Sequence, residues 1–436
     1  MVKSGALHII EKLSACGYRA LLAGGCVRDW VLGREPLDWD VATNAAPDVV
    51  MQLFEKTVPV GVEFGIVVVI LEDGHYEVAR FRRDGPYLDG RHPDGVEYAD
   101  EKADAARRDF TVNGLFYDPL NEELIDYVGG RDDLARGLLR AIGDPVQRFS
   151  EDYLRMLRAV RFATRLRFAI DPCTFDAIRA GAANIQRVSV ERIRDECTRI
   201  LTGGHAGSGM QLLLDSGLLM AILPEVAAMV GVAQPPQFHP EGDVWTHVKM
   251  MLENLRNPSP ALAWSALLHD IGKPPTFALT DRIRFNGHDA LGAKMAAQIC
   301  QRLHMSNEAS ARICELTAQH MRIGRAKEMR PSKLKRLLRL PIFPELLELH
   351  RLDCLASHKQ LDVYDFCKEN LRPGAEADLH PPILLNGMDL IEMGLEPGPL
   401  FKEILKAVED EQLEGRLRWR EESLEFVRQR FAEHFS

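Results

Sequence analysis

The stretch that decides the fold is Gly24–Asp40, GGCVRDWVLGREPLDWD. Two glycines close the apolar run Ala20-Leu21-Leu22-Ala23, and two carboxylates, Asp38 and Asp40, stand one residue apart at the far end. An apolar run ending in a glycine pair reads as a strand entering a tight turn, with CVRDWVLG as the helix that follows. Asp38 and Asp40 are expected on the next strand, where side chains at i and i+2 share a face. Like charges held that close repel. Such a pair is either solvated on a surface loop or shares a cation. The glycine turn, Arg28 in the first helical turn and the strand context favour the cation. Mg²⁺ takes a few carboxylates together with substrate phosphates, and it clamps a triphosphate against an attacking hydroxyl. Glu77, in HYEVARF, is the expected third acid. Gly24-Gly25 supply a turn whose backbone can approach phosphates, the helix starting near Cys26 aims its N-terminus there, and Arg28 is within reach of the same anion.

Outward from this stretch the first third of the chain alternates. MVKSGALHIIEKLSACGYRA reads as an amphipathic helix, with no separate apolar segment and cleavage site, so a cytoplasmic protein is expected. FGIVVVIL and HYEVARFR are β-rich runs joined by EDGH, a hairpin signal. Asp84 to Asp104 is rich in Gly, Pro and Asp and reads as a long mobile loop. From about Asp144 the apolar spacing is helical almost to the end, as in Leu154, Leu157, Val160 and Phe162. Pro-rich breaks fall at Val232 to Asp243 and Leu371 to Pro382. The expected organisation is an α/β head over 1–145, then all-α segments: a neck over 146–230, a body over 231–370 and a tail over 371–436.

Composition narrows the classes. Of 436 residues 46% are hydrophobic and 27% charged, ordinary for a globular protein. No apolar run approaches the ~20 residues of a membrane-spanning helix. The eight cysteines form no CxxC pair and read as reduced, mostly buried thiols. A net charge of −10 excludes a uniformly basic, nucleic-acid-coating surface. Charge is nonetheless uneven. Arg148–Arg199 holds eleven arginines against seven acids, and Met321–Leu340 holds eight basic residues against one Glu. Either stretch could meet phosphates or be a solvated helix face.

GGCVRD followed by LDWDVATNA resembles the DNA polymerase β-like nucleotidyltransferases. The closer resemblance is to the class II tRNA nucleotidyltransferases (CCA-adding enzymes) and the related bacterial poly(A) polymerases, whose pattern continues with RRDFTxN and EDxxRxxRAxRF. This chain has Arg107-Arg108-Asp109-Phe110-Thr111-Val112-Asn113, then Glu151 to Phe162 as EDYLRMLRAVRF, and SVERIRDE at Ser189 to Glu196 resembles a further motif. On a helix, Asp152, Arg155 and Arg158 would form one polar stripe. An Asp accepts from an exocyclic amine and an Arg donates to a ring nitrogen or carbonyl. Such a pair could therefore read C and A, which carry an amino group beside an acceptor. An intrahelical salt-bridge stripe is the competing reading. The resemblance implies Asp152 and Arg155 as the base-reading pair, Arg158 and Arg161 near the nucleotide, and Arg108 on the triphosphate. It also implies that the 84–104 loop assists switching from C to A. VGVEFGIVVVI lacks the basic signature usual in the poly(A) polymerases, which favours a tRNA enzyme.

A second cluster lies downstream. DVWTHVKMML, WSALLHDIGK, FNGHDALGAKMA, LTAQHM and LHRLDCLASH place His247, His269, Asp270 and Asp353 in the order H…HD…D, which resembles the HD-domain phosphohydrolases. His288 and His320 could enlarge the site to two metals. Imidazole and carboxylate suit Mn, Fe, Co or Ni, and a metal there could activate water against a phosphoester. Merely packed histidines in a degenerate fold are the alternative.

The expectation is thus a Mg²⁺-dependent, template-independent nucleotidyltransferase that adds CCA to tRNA from CTP and ATP, with no membrane partner. The helical body would measure the acceptor arm by shape and phosphate contacts. Within the class, an A-adding enzyme and a poly(A) polymerase are the alternatives. From other classes come an HD phosphohydrolase with a vestigial head and an RNA-binding module without catalysis.

Overall fold

The computed structural model describes residues 2–60, 65–85, 96–237, 239–372 and 379–435. The chain divides into two compact units: one built mainly from residues 1–228, the other from most of the remainder.

The first unit begins with the helix Ser4–Ala15, whose Ala6, Ile9, Ile10 and Leu13 are buried at helical spacing. The strands that follow among the described residues include β1 (Ala20–Ala23), β2 (Val41–Thr43), β3 (Thr57–Pro59), β4 (Ile66–Leu71), β5 (Gly74–Arg80), β6 (Arg82–Asp84), β7 (Val96–Tyr98), β8 (Leu115–Asp118) and β9 (Glu123–Asp126). Seven form one mixed sheet in the order β3-β4-β5-β2-β1-β8-β9. β2 pairs parallel with β5, and the other neighbours are antiparallel. β4 and β5 are the expected hairpin, with Leu71 opposite Gly74 and a two-residue turn at Glu72-Asp73. Asp73 fixes that turn against the first helix, accepting from Ser4 Oγ, the Gly5 N–H and Tyr76 Oη. Leu21, Ala23, Ala42, Phe81, Ala105, Phe116 and Ile125 form a core cluster of this sheet.

Three expectations differ from the structure. Asp38 and Asp40 do not lie on a strand; β2 starts at Val41, and Pro36 and the solvated Asp38 leave the preceding segment unpaired until the Asp40 carbonyl accepts from the Ala23 N–H (3.1 Å). The loop expected over 84–104 ends early, because β7 and the helix Glu101–Ala106 occupy its second half. That helix is capped by Asp100, which accepts from the Ala103 N–H (2.8 Å). The middle of the loop and part of VGVEF lie outside the described residues. Finally, EDYLRMLRAVRF is not one helix: Asp152 ends Pro145–Glu151, and Leu154–Leu166 begins after it.

From there the chain is helical, apart from short pairings such as Leu138–Leu139 with Ala169–Ile170. In the second unit, helices Val244–Glu253, Pro260–Leu268, His288–Arg302, Asn307–Gln319 and Phe343–Ala356 surround the histidines. One small hairpin, Ala278–Leu279 with Ile283–Arg284, interrupts them. The tail has its own apolar cluster, including Leu390, Ile404, Val408 and Val427. The basic stretch is less free than its composition suggests. Arg336 pairs with Glu409 and Asp410 (2.5 Å each), Arg339 with Glu409 (2.7 Å) and Lys327 with Asp362 (2.7 Å). All eight cysteines are free thiols. Among the described residues no helix is long and apolar enough to cross a membrane.

Candidate functional site

A cavity of about 710 Å³ in the first unit is lined by Gly24, Gly25, Arg28, Asp38, Asp40, Arg108, Asp152, Arg155 and Arg158, among others. The turn at its rim needs glycine. Gly24 has φ +73°, and a Cβ there would lie 2.5 Å from Arg108 Nη1. Val41 pairs with Val78, so one residue back the parallel register sets Asp40 beside Glu77. Burial, the Glu77 charge and Asp38 together push the Asp40 carboxyl up to about 6, against the pull of Arg108. A like-charge cluster of this kind is what a dication relieves. Glu77 is exposed and does not line the cavity itself.

The arginines are held by acids. Arg28 is buried, paired with Asp29 (2.7 Å) and donating to Asn113 Oδ1 (2.6 Å). Asp104 sits between Arg107 (2.7 Å) and Arg108 (3.0 Å), and Arg108 also donates to the Asn113 carbonyl (3.2 Å). Arg158 grips the buried Asp109 through Nε (2.9 Å) and Nη2 (2.6 Å). Arg161 pairs with Glu196 (2.6 Å) and lies outside this cavity, lining a neighbouring one that shares Asp38. Arg28, Arg158 and Arg161 all lie over the Phe162 ring, at 5.3, 5.3 and 4.3 Å.

Asp152 and Arg155 both line the cavity but not as a helical stripe. Asp152 accepts from the Leu154 N–H (3.0 Å), so its side chain caps the new helix and stops the old one. Its other oxygen takes Arg192 Nη2 at 2.8 Å. Arg155 turns to Glu151 and to the Arg148 carbonyl (2.9 Å). Arg192, from the helix Val190–Thr202, was not singled out by the sequence; its only signal is its place inside SVERIRDE.

The second unit brings every HD residue together. His247 Nε2 lies 3.1 Å from Asp353, and His269 Nε2 3.1 Å from Asp270, neither with hydrogen-bond geometry. His288 and His320 place Nε2 at 3.6 and 3.9 Å from Asp270 and 3.3 Å from each other. His269, His288 and His320 each turn Nδ1 to a main-chain carbonyl, of Ala266, Phe285 and Thr317. Their Nε2 lone pairs therefore face inward, the arrangement a metal ligand needs. Burial, then the neighbouring His269, lowers His320 to about 4, which keeps it neutral. Burial would also lower His247, but Asp353 and Glu241 raise it to about 9: this pocket draws positive charge. Gly272 lets two helices meet, since a Cβ there would lie 2.1 Å from the His288 carbonyl. Two groups of ligand atoms result, His247-His269-Asp353 and Asp270-His288-His320, and a third, His239-Glu241-His247, was missed by sequence reasoning. Lys273 pairs with Asp270 at 2.7 Å.

Comparison with known proteins follows these sites. Residues 20–140 match the family model described as the poly A polymerase head domain. That stretch is similar to the heads of poly A polymerases. Downstream of it, residues 167–230 match "Probable RNA and SrmB- binding site of polymerase A", and 243–357 match the HD domain. Both the nucleotidyltransferase and HD families are metal-dependent. The chain is 44% identical over 214 residues to a CCA-adding enzyme of Lactiplantibacillus plantarum, covering 49% of this chain and 52% of that one. It is 43% identical over 223 residues to that of Geobacillus stearothermophilus, covering 51% and 55%. The matched stretch thus spans about half the length of these curated relatives. Across the whole length, the Bacillus stearothermophilus CCA-adding enzyme in complex with CTP superposes with a TM-score of 0.74 at 27% identity, covering 98% of each chain. The Thermotoga maritima CCA-adding enzyme complexed with tRNA shares the fold, with a TM-score of 0.63 at 19% identity, covering 99% of this chain and 96% of that one.

Proposed function

We propose that this chain is a cytoplasmic tRNA nucleotidyltransferase that adds CCA to tRNA 3′ ends from CTP and ATP without a nucleic-acid template. One observation carries the reading: the acids Asp38 and Asp40 and the polar pair Asp152 and Arg155 line a single cavity. Asp38, Asp40 and Glu77 hold Mg²⁺, which when bound neutralises the triphosphate and favours the attacking hydroxyl. Arg108 meets the triphosphate. Gly24-Gly25 let the backbone approach it, and Arg28 stiffens the wall behind the turn. Asp152 presents an acceptor and Arg155 a donor to the Watson–Crick edge of C or A, while Arg158 and Arg161 line the approach. Residues 1–145 are the catalytic head, 146–230 the neck, 231–370 the body and 371–436 the tail. Support also comes from the curated relatives named CCA-adding enzymes, two of which are 44% and 43% identical over the matched stretch.

The test is incorporation of labelled CTP and ATP, with Mg²⁺, into tRNA transcripts ending before CCA, after the first C and after CC. Addition of C, C and A followed by a stop is the expected result. A alone on the CC-ended transcript would make it an A-adding enzyme, long A tails a poly(A) polymerase, and no incorporation would remove the head mechanism.

A second activity is supported by the inward-facing Nε2 atoms, the buried Asp270 and the half-buried Asp353 of the second unit. His247, His269, Asp270 and Asp353, with His288 and His320, hold one or two transition-metal ions of the Mn, Fe, Co or Ni class, which supply hydrolytic chemistry on a phosphoester. Those residues orient the site and exclude bulk water.

A further inference from the structure

We propose that Glu241 is a positioning residue of the HD site: its carboxylate fixes His247 with Nδ1 protonated and the Nε2 lone pair turned to the metal. The proposal rests on the metal reading of that site. Glu241 lies outside the matched HD residues, 243–357, in the Pro-rich break HPEGD.

Three observations meet at this side chain. Glu241 Oε1 lies 2.7 Å from His247 Nδ1 and 2.9 Å from His239 Nδ1. The carboxylate is buried, and its other oxygen, Oε2, has no hydrogen-bond partner among the described residues. His247 itself is fully buried, so its ring cannot exchange these partners for solvent.

With a metal in place of the Nε2 proton, the imidazole would carry one proton. If Nδ1 donates it to Glu241, Nε2 is left as a lone pair, and that atom sits 3.1 Å from Asp353 among the candidate ligands. The other three histidines solve the same problem with a main-chain carbonyl. His247 lies in the first turn of Val244–Glu253 and takes a carboxylate from the preceding segment instead. A carboxylate makes the ring a stronger donor to the metal than a carbonyl does. The arrangement also accounts for a buried acid held between two imidazoles. A dication held beyond His247 would compensate its charge. His239, on the far side of Oε1, keeps the carboxylate aimed at His247.

The experiment is Mn²⁺ binding to the full chain by titration calorimetry and electron paramagnetic resonance, for the wild type, Glu241→Ala, Glu241→Gln and His269→Ala. Circular dichroism of the metal-free proteins checks folding. Wild type is expected to bind, and His269→Ala to lose the site. Glu241→Ala should bind about 10- to 100-fold more weakly. Glu241→Gln, which keeps an acceptor but loses the charge, should fall between. Should Glu241→Ala fail to fold, Glu241→Gln alone decides, since its loss is one of charge and not of shape. Glu241 variants binding as tightly as wild type would overturn the proposal while leaving the metal site standing. Wild type and His269→Ala both failing to bind would overturn the metal reading itself, and this proposal with it.

Discussion

Asp40 is the residue where function and stability pull apart most clearly. Its carboxyl is pushed up to about 6 by burial, Glu77 and Asp38, above the unfolded value of about 3.8. The folded state therefore binds the proton more tightly, and stability falls as pH rises from about 4 to about 6 and stays lower above it. In EDTA at neutral pH, Asp40→Asn should raise unfolding stability by about 1–2 kcal/mol, a value discounted for partial exposure, while abolishing nucleotide incorporation. Urea unfolding beside an incorporation assay checks both halves. Asp109 has the opposite sign. Burial alone would raise its carboxyl, but Arg158, Asn113 and the Phe110 N–H hold it below the usual carboxylate range. Its contribution is present above about 3.9 and is lost as pH falls through the lowered folded value. Asp109→Asn should cost about 2 kcal/mol at pH 7, because Arg158 loses its buried partner, and the gap to wild type should close progressively below pH 4. A variant as stable as wild type at pH 7 would mean that the pair contributes nothing.

At the scale of the element, the informative feature is the helix break at Asp152. The head was legible in the sequence, because glycine turns, hairpin signals and apolar runs state their structure locally. The first helix, β1, the β4–β5 hairpin and the helical body all follow from such local patterns. The break was not legible, since apolar spacing continues through it and only the capping bond from the Leu154 N–H reveals that the chain restarts. The partner swap depends on it: Asp152 leaves Arg155 for Arg192, forty residues on, a contact that no local pattern encodes. His239 and Glu241 were missed for a similar reason, lying in a Pro-rich break whose role appears only when the chain folds back on His247. Arg192 thus holds the Asp152 carboxylate, which in the proposed function meets the base edge. Arg192→Ala should lower kcat/KM for CTP and ATP about 10- to 100-fold and narrow the preference over UTP and GTP, because a freely rotating Asp152 no longer presents a fixed acceptor. Stability should change by no more than about 1 kcal/mol, since the pair is partly solvated. Steady-state incorporation of all four nucleotides measures this, and unchanged selectivity would remove Arg192 from the reading.

Across the whole molecule, the metal ligands proposed above fall into two sets, each drawn from one unit only. Asp38, Asp40 and Glu77 come from the first unit, and the histidines with Asp270 and Asp353 from the second. The two sets also differ in donor type. The first is all oxygen, which suits Mg²⁺ with phosphates; the second is rich in imidazole, which suits later first-row metals. Sites that share no residue and prefer different ions should respond to mutation additively. The double variant Asp38→Ala, Asp40→Ala should therefore lose incorporation by more than about 10³-fold while retaining wild-type Mn²⁺ binding at the histidine site. His269→Ala with Asp270→Ala should do the reverse, losing that Mn²⁺ and keeping Mg²⁺-dependent incorporation within about twofold. Combining all four substitutions should simply add the two losses. Incorporation that collapses in the histidine variant, with folding intact by circular dichroism, would show that the second site governs the first, and the two activities would then have to be treated as one coupled machine.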